Sequence, residues 1–182
     1  NKLKNIVKIT SGSNLETLKK VDKVYNSIID AGTFPVKSIK VAEAVKVVEN
    51  TQRYINISLM NELAMMFDKM NIDTNQVIEA VKTKWNSLPF YPGLVGGHCI
   101  GVDPFYLLHK SEELGYNSEF ISSGHNINTK LVEFIVEKVK HNIGTNDIRK
   151  TSTLYMGLAF KENSSDTRNS KAIVLLEKLI KL

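Results

Sequence analysis

The sequence is poor in cysteine, proline and tryptophan, and it has no long apolar run. Its 182 residues include one cysteine, four prolines and one tryptophan. A single cysteine excludes an internal disulfide, and no signal peptide opens the sequence, so we expect a reducing, cytoplasmic location. No apolar stretch approaches the roughly 18 residues of a membrane span, so we expect no membrane partner. The apolar fraction of 42% and the charged fraction of 24% are ordinary for a globular protein.

Basic residues exceed acidic residues only in the first quarter of the chain. Residues 1–46 contain nine lysines against four acidic residues, whereas residues 47–182 contain fifteen basic and fifteen acidic residues. A positive excess can indicate nucleic-acid binding, but no helix-turn-helix or RNA-binding signature accompanies it, and the lysines do not alternate with aromatic residues. We therefore expect a solvated basic face and no nucleic-acid partner.

Glycine and proline are concentrated in residues 92–104, which hold four of the ten glycines, two of the four prolines and the only cysteine, Cys99. Glycine lets the backbone approach a ligand closely, which predicts a loop that wraps around a bound group. If the chain turns helically near Asp103, the Cys99 thiolate can act as a nucleophile beside a carboxylate that orients or activates water. Metal binding by His98 and Cys99 is the alternative. Structural zinc takes four ligands, and no second cysteine or paired histidine spacing is present, so no metal site is expected.

A single long helix is predicted over residues 39–70, a segment without glycine or proline. Apolar residues recur there at spacings of three, four or seven, which predicts one buried stripe. The stripe consists of Val41, Val45, Val48, Ile55, Leu59, Leu63 and Met66. Other faces are apolar too, which is typical of a helix at the centre of a domain or in a subunit interface. Lys46 and Asn50 share a face, and taken alone each is expected to be exposed to solvent. The apolar valines around Lys46 give the alternative, a partly desolvated ammonium able to stabilise an oxyanion.

Shorter elements are predicted on both sides of this helix. Strands are expected over residues 5–10 and 153–158 with an extended segment at 36–39, and helices over 15–29, 74–82, 104–114, 119–142 and from 169 onwards. A strand, a glycine-containing loop and a helix after a polar connection at 146–150 indicate the start of an α/β domain. The apolar helical run at 172–180 has no stop signal and the first residue is not Met, so we expect a piece of a longer protein.

A polar segment lies between the predicted late strand and the last helix. Residues 160–168 read Phe-Lys-Glu-Asn-Ser-Ser-Asp-Thr-Arg. Polar side chains next to a helix N-terminus on a βα loop are typical of phosphate or nucleotide contacts. The composition alone is a weak signal for such a site.

Four blocks, in the same order along the chain, resemble the UDP-glucose/GDP-mannose dehydrogenase family. They are residues 42–50, 61–63, 83–104 and 157–168, of which the Gly-Gly-His-Cys-Ile-Gly-Val-Asp-Pro run is the most specific. The resemblance implies a mainly α central domain with a long central helix of the dimerisation type, flanked by parts of two α/β Rossmann-like domains. Residues 1–34 would end an N-terminal dinucleotide-binding domain, 35–148 form the central domain, and 149–182 begin a nucleotide-sugar-binding domain.

The resemblance also implies a reaction. Family members oxidise the C6 primary alcohol of a nucleotide sugar to a carboxylate in two NAD-dependent hydride transfers. Cys99 would trap the aldehyde as a thiohemiacetal that is oxidised to a thioester, and Asp103 would assist the water that hydrolyses it. Lys46 and Asn50 would stabilise oxyanions and hold that water, and Arg168 would contact NAD. The implied substrate contacts are Leu88, Phe90, Gly93, Gly96, Gly97, Phe160 and Lys161.

The motif wording is more similar to the branch that acts on UDP-N-acetylhexosamines for surface polysaccharides such as capsule and O-antigen. UDP-glucose 6-dehydrogenase and a non-catalytic helical dimerisation module are the alternatives, and a homodimer through the central helices is expected.

Two departures from the family pattern stand out. The Gly-x-Gly motif is absent, since Gly12 is the only glycine before Gly32, so we expect weak NAD binding and no activity from this piece alone. His125 replaces an expected arginine, which weakens any anion contact there.

Overall fold

The computed structural model describes residues 3–144 and 150–182, which form six α-helices and one two-stranded parallel sheet. The protein is therefore mainly helical, as predicted. Its chain divides into two compact units, residues 1–49 and 50–182. Within the described ranges, no helix is both long enough and apolar enough to cross a membrane.

The first unit contains a β-α-β arrangement. Strand β1 (Lys8–Thr10) pairs in parallel with β2 (Thr33–Pro35), and helix α1 (Leu15–Asn26) connects them. The side-chain oxygen of Asn14 accepts a hydrogen bond from the Thr17 backbone N–H at 2.8 Å, which caps α1 as predicted. A 2.6 Å hydrogen bond from the Thr10 hydroxyl to Asp22 joins the first strand to this helix.

Element boundaries in this unit differ from the predicted ones. The first strand is shorter than residues 5–10 because a 3₁₀ turn occupies Leu3–Asn5. Helix α1 ends at Asn26, where hydrogen-bonded turns over residues 25–32 replace the predicted last helical turn. The second extended segment lies at 33–35 rather than 36–39, in register with β1.

Helix α2 (Ile39–Lys69) runs through the boundary between the two units, and its length agrees with the prediction. Its buried side chains, however, are Asn50, Tyr54, Ser58 and Asn61. The predicted buried apolar stripe is wrong: Val41, Val45, Val48, Leu59 and Met66 are exposed. At 3.6 residues per turn the two stripes lie about 140° apart. Both have helical spacing, so periodicity alone did not identify the face that packs within the chain.

The second unit continues with α3 (Thr74–Val81), α4 (Asp103–Glu113), α5 (Glu119–Ile143) and α6 (Lys171–Ile180). Asp73 caps α3 and Gly144 ends α5, as predicted. A small apolar core joins α5 to α6 through Val132, Val136 and Leu175. Leu94, from the glycine-rich loop, packs against this core. The loop that carries Cys99 is thereby attached to the apolar core between α5 and α6.

The strand predicted at 153–158 is wrong. This segment pairs with no strand among the described residues, and Leu154 and Met156 are 83% and 84% exposed. A strand requires a neighbour that satisfies its backbone N–H and C=O groups, and a favourable residue pattern does not provide one. Helix α6 does form, with Ser170 as its cap. Residues 146–149 of the predicted connection, and the proposed boundary at 148, lie outside the described residues, so the three-part domain division stays a prediction.

Candidate active site

Cys99 is exposed and lies in a tight turn immediately before α4. Its carbonyl accepts hydrogen bonds from the backbone N–H groups of Val102, at 3.0 Å, and Asp103, at 2.8 Å. Asp103 is the first residue of α4, and Pro104 follows it in the first helical turn. The helical turn on which the pairing of Cys99 with Asp103 depends is therefore present. It places the thiol-bearing residue and the carboxylate-bearing residue at the same helix end.

The Asp103 carboxylate is held by the long helix. The side-chain amide of Asn50 donates a 2.6 Å hydrogen bond to Asp103 Oδ2, and Asn50 is only 3% exposed. A hydrogen bond donated to a carboxylate oxygen fixes the direction of the carboxylate. The structure therefore brings together two of the four predicted catalytic side chains, although 53 residues separate them in sequence.

Lys46 does not have the partly desolvated environment predicted for it. Its side chain is 60% exposed and its ammonium lies 3.1 Å from Glu49 Oε2. The neighbouring Val45 and Val48 are themselves exposed, so they exclude no water from the ammonium. The expectation of desolvation is wrong. The catalytic role assigned to Lys46 by resemblance stays a prediction.

The beginning of the cysteine loop is attached to α2 through a buried amide. Asn61, with no exposed surface, donates from Nδ2 to the Gly93 carbonyl at 3.0 Å and accepts from the Gly93 N–H at 2.7 Å. The same Nδ2 donates to Asn128 Oδ1 at 2.7 Å, and Asn128 donates to the Ser58 hydroxyl at 2.9 Å. Ser58 completes the chain of bonds by donating to the Tyr54 carbonyl at 2.8 Å. Every member of this polar network from Ser58 to Gly93 has a partner.

The segment before α6 holds the middle of the loop. Gly97 donates its N–H to the Asn169 carbonyl at 3.1 Å and accepts from the Asn169 side-chain amide at 2.8 Å. Gly97 has φ +83°, and a Cβ there would lie 2.7 Å from the Phe160 ring. This position therefore requires glycine on two counts, its backbone conformation and the space left by Phe160.

An ionic cluster lies beside the thiol-bearing residue. Nε2 of His98 is 2.9 Å from Asp166 Oδ2, and the Arg168 guanidinium bonds both Asp166 oxygens, at 2.9 and 2.7 Å. Arg168 first, and then His98, hold the pKa of Asp166 far below its usual range. The His98 ring also meets the Phe160 ring edge to face, with centroids 5.7 Å apart. Residue 98 is thus fixed by contacts from the segment that precedes α6.

The residues predicted to contact substrate fall into two groups. Gly93, Gly96 and Gly97 belong to the held loop, whereas Phe160 and Lys161 line an open cavity of about 680 Å³ formed by residues 155–167. Leu88 is 65% exposed, and Phe90 lines a small apolar cavity between α2 and α3. Arg168 keeps 79% of its side chain exposed. Binding roles for these residues stay predictions.

Sequence reasoning gave no role to Tyr54, Ser58, Asn61, Asn128 or Asn169. For the α2 members a signal was present, since residues 50, 54, 58 and 61 recur at helical spacing. Asn169 has φ +54°, a left-handed conformation that asparagine tolerates, but nothing in the sequence indicates its contact with Gly97. Among the described residues, no group of three or more His, Cys, Asp or Glu is arranged to hold a metal ion.

Residues 40–130 match the central domain of the UDP-glucose/GDP-mannose dehydrogenase family. The chain belongs to this family. The matched residues include Lys46, Asn50, Cys99 and Asp103, and also Asn61 and Asn128. The Asn50–Asp103 and Asn61–Gly93 contacts described above therefore lie within the matched central domain.

Within this family, the chain is 51% identical over 176 residues to protein CapL of Staphylococcus aureus, covering 96% of the chain and 42% of CapL. It is 50% identical over 183 residues to UDP-N-acetyl-D-glucosamine 6-dehydrogenase of Salmonella typhi, covering 98% of the chain and 42% of that protein. The solved structure of a UDP-D-ManNAc dehydrogenase from Pyrococcus horikoshii superposes with a TM-score of 0.86 at 28% identity, covering 97% of the chain and 42% of that structure. The chain thus spans about two fifths of the length of these family members.

Proposed function

We propose that the chain forms the catalytic centre of an NAD-dependent UDP-sugar 6-dehydrogenase. It would oxidise the C6 alcohol of a UDP-N-acetylhexosamine to a carboxylate for surface polysaccharide synthesis. The observation that carries the proposal is the exposed Cys99 in a turn closed by Asp103, whose carboxylate Asn50 holds. UDP-N-acetyl-D-glucosamine is the substrate to test first, because the relative of that name is 50% identical to this chain.

Each chemical step assigns a task to residues of the chain. After the first oxidation the Cys99 sulfur adds to the C6 aldehyde and gives a thiohemiacetal, and after the second oxidation it is bound to C6 as a thioester. The carboxylate of Asp103 then accepts a proton from water as the water attacks C6. The C–S bond breaks, the sugar carboxylate leaves, and the thiol is restored by proton transfer. Asn50 keeps Asp103 directed at this water, and Lys46 would stabilise the oxyanion formed on C6.

A bound NAD would supply the oxidising power for the two oxidations, as a hydride acceptor. The residues present fit only part of a dinucleotide site. Arg168 offers an exposed guanidinium, but the turn after β1 reads Ser-Gly-Ser-Asn and has no Gly-x-Gly fingerprint. Tight NAD binding would accordingly require residues beyond the 182 described by this sequence, and we expect the chain alone to be inactive.

A homodimer is part of the same proposal. Leu59 and Met66 of α2 are 47% and 46% exposed, and Phe120 at the start of α5 is 79% exposed. An apolar groove of about 310 Å³ lies between α2 and α5, lined in part by Leu59 and Phe120. Contiguous exposed apolar surface of this kind is typical of an interaction site. We propose that a second copy of the chain occupies this groove. The molar mass of the intact protein in solution, measured by sedimentation, tests whether it is a dimer.

The function is tested with the intact protein that contains this chain. NADH formation is measured with UDP-N-acetylglucosamine, UDP-N-acetylgalactosamine, UDP-N-acetylmannosamine and UDP-glucose, for the wild type and for Cys99→Ser. We expect two NADH per molecule of one UDP-N-acetylhexosamine, and loss of complete oxidation in Cys99→Ser, because a hydroxyl is a much weaker nucleophile than a thiolate.

The controls separate the alternatives. Asp73→Asn changes a carboxylate that caps α3 and lies outside the loop, so its activity should equal that of the wild type. Two NADH from UDP-glucose alone would identify the UDP-glucose enzyme instead. If no nucleotide sugar is turned over, the non-catalytic dimerisation module takes the place of the enzyme. If Cys99→Ser oxidises the sugar as the wild type does, the role assigned to Cys99 is wrong.

A further inference from the structure

The loop that carries Cys99 is attached at both ends to one helix. Asn61 of α2 bonds Gly93, where the loop begins, and Asn50 of the same helix bonds Asp103, where the loop ends. The two asparagines are eleven residues apart, which corresponds to about 16 Å along a helix that rises 1.5 Å per residue. Helix α2 therefore sets the separation between the two ends of the cysteine loop.

The Asn61 attachment has the properties of a rigid one. Its side chain has no exposed surface, and it pairs with both backbone groups of Gly93 at 2.7 and 3.0 Å. Its third bond, to Asn128, fixes which end of the amide carries the nitrogen, because Asn128 presents an oxygen to it. A flipped amide would place two oxygens together at that point. The orientation that suits Gly93 is thus enforced by α5.

We propose that Asn61 is a positioning residue that fixes the Cys99 thiol for reaction by holding the beginning of its loop. Asn61 touches neither Cys99 nor the reacting atoms and acts through Gly93. Without the two Gly93 bonds, residues 94–98 retain Leu94 in the apolar core and Gly97 on Asn169, but the beginning of the loop loses its attachment to the helix that holds Asp103. The turn bonds from Val102 and Asp103 to the Cys99 carbonyl remain, but the backbone that leads into this turn is then no longer fixed by α2.

Asn61→Ala in the intact protein tests the proposal, and Ser58→Ala is the matched control. Ser58 lies on the same face of α2, is 2% exposed and bonds Asn128, but it does not touch Gly93. Both variants remove one buried side chain from the same network. Only Asn61→Ala removes the bonds to the loop.

Amide hydrogen exchange of residues 94–102 and the rate of Cys99 alkylation by iodoacetamide, followed by peptide mass spectrometry, need no substrate. In Asn61→Ala we expect exchange in this segment to rise about tenfold, since about two hydrogen bonds are lost. The alkylation rate should change, whereas Ser58→Ala should keep both wild-type values. The proposal would be overturned if Asn61→Ala and Ser58→Ala showed the same exchange at residues 94–102 and the same loss of thermal stability. That result would mean that any change in the network destabilises the loop, whether or not the bonds to Gly93 are removed.

The activity readout rests on the proposed function. There we expect kcat to fall about a hundredfold in Asn61→Ala, the size of effect that a misplaced reacting group produces, with Ser58→Ala close to wild type. If Asn61→Ala does not fold, Asn61→Ser removes the bonds to Gly93 but keeps a hydroxyl that can bond a backbone carbonyl of its own helix, and faster exchange at 94–102 is still required. If no UDP-sugar is oxidised, the exchange and alkylation results still decide the role of Asn61.

Discussion

Two stripes of α2 can be compared within residues 50–69. The stripe with Asn50, Tyr54, Ser58 and Asn61 is polar and buried, whereas the stripe with Leu59 and Met66 is apolar and about half exposed. A soluble chain that packed only against itself would reverse this distribution. The inward face holds the cysteine loop by specific hydrogen bonds, while the outward face leaves apolar side chains exposed.

The largest effect on stability should come from removing a large buried side chain on the inward face of α2. Tyr54 is 2% exposed, its ring meets Phe105 edge to face at 6.0 Å, and burial raises the pKa of its hydroxyl. Tyr54→Ala should lower the free energy of unfolding by about 3–5 kcal/mol, as expected for a deleted core aromatic side chain. Leu59→Ala, on the outward face at 47% exposure, should cost below about 1 kcal/mol in the isolated chain. Urea unfolding measures both.

An equal loss of unfolding free energy in Tyr54→Ala and Leu59→Ala would contradict the difference between the two faces. It would mean that the outward stripe is packed as firmly as the inward one. A loss at Leu59 that grows with protein concentration would instead show that a second copy covers it.

The next effect concerns catalysis rather than folding. Asn50→Ala removes the donor that holds the Asp103 carboxylate, and a hydrogen bond to a charged group contributes about 1.5–3 kcal/mol. We expect kcat of the intact protein to fall about ten- to a hundredfold. Gln52→Ala, two residues along the same helix and exposed, is the control and should retain wild-type kcat. A normal rate in Asn50→Ala would show that Asp103 needs no support from α2.

The smallest effect should come from a polar cluster that is not buried. Arg168 and His98 hold the pKa of Asp166 below that of an unfolded chain, so their contribution to stability is complete above about pH 4, the unfolded value. It is lost as the pH falls further towards the folded value. Asp166→Asn should therefore lower the melting temperature slightly at pH 7, and the difference from wild type should shrink below pH 4.

Thermal unfolding of Asp166→Asn and wild type across pH 3–7 measures this difference. Because the cluster is exposed, water screens its ion pairs and only a small shift is expected. A large difference at pH 7, comparable to that of Tyr54→Ala, would contradict the distinction between buried and exposed polar groups.

The sequence predicted the helices well because their signals are local. The Asn14, Asp73 and Gly144 end signals and the glycine-free segment of α2 each depend on a few adjacent residues. The elements that failed depend on distant partners. The segment 153–158 has a strand-like pattern but no neighbouring strand among the described residues, and the apolar stripe of α2 has no covering element there.

In the site too, local contacts could be predicted from the sequence and distant contacts could not. Cys99 and Asp103 could be paired from the sequence because four residues and one turn connect them. The Asn50–Asp103 contact spans 53 residues, and the Asn61–Asn128 contact spans 67. The family resemblance assigned catalytic roles to Asn50 and Asp103 but did not indicate that they are in contact. It assigned no role to Asn61 or Asn128. The environment of Lys46 was mistaken because nearby valines were assumed to be buried.

The contact between Gly96 and the segment before α6 has a consequence for the order in which the site forms. A Cβ at Gly96 would lie 2.5 Å from the Asn169 carbonyl, and that carbonyl also receives the Gly97 N–H. The bonds between Gly97 and Asn169 span 72 residues, so they close late in folding, after the local helices. During synthesis, α2 can hold Gly93 and Asp103 at the two ends of the cysteine loop, but Gly97 gains its bonds to Asn169 only after residue 169 has left the ribosome. The thiol is thus assembled into its final geometry only when nearly the whole of this chain is present.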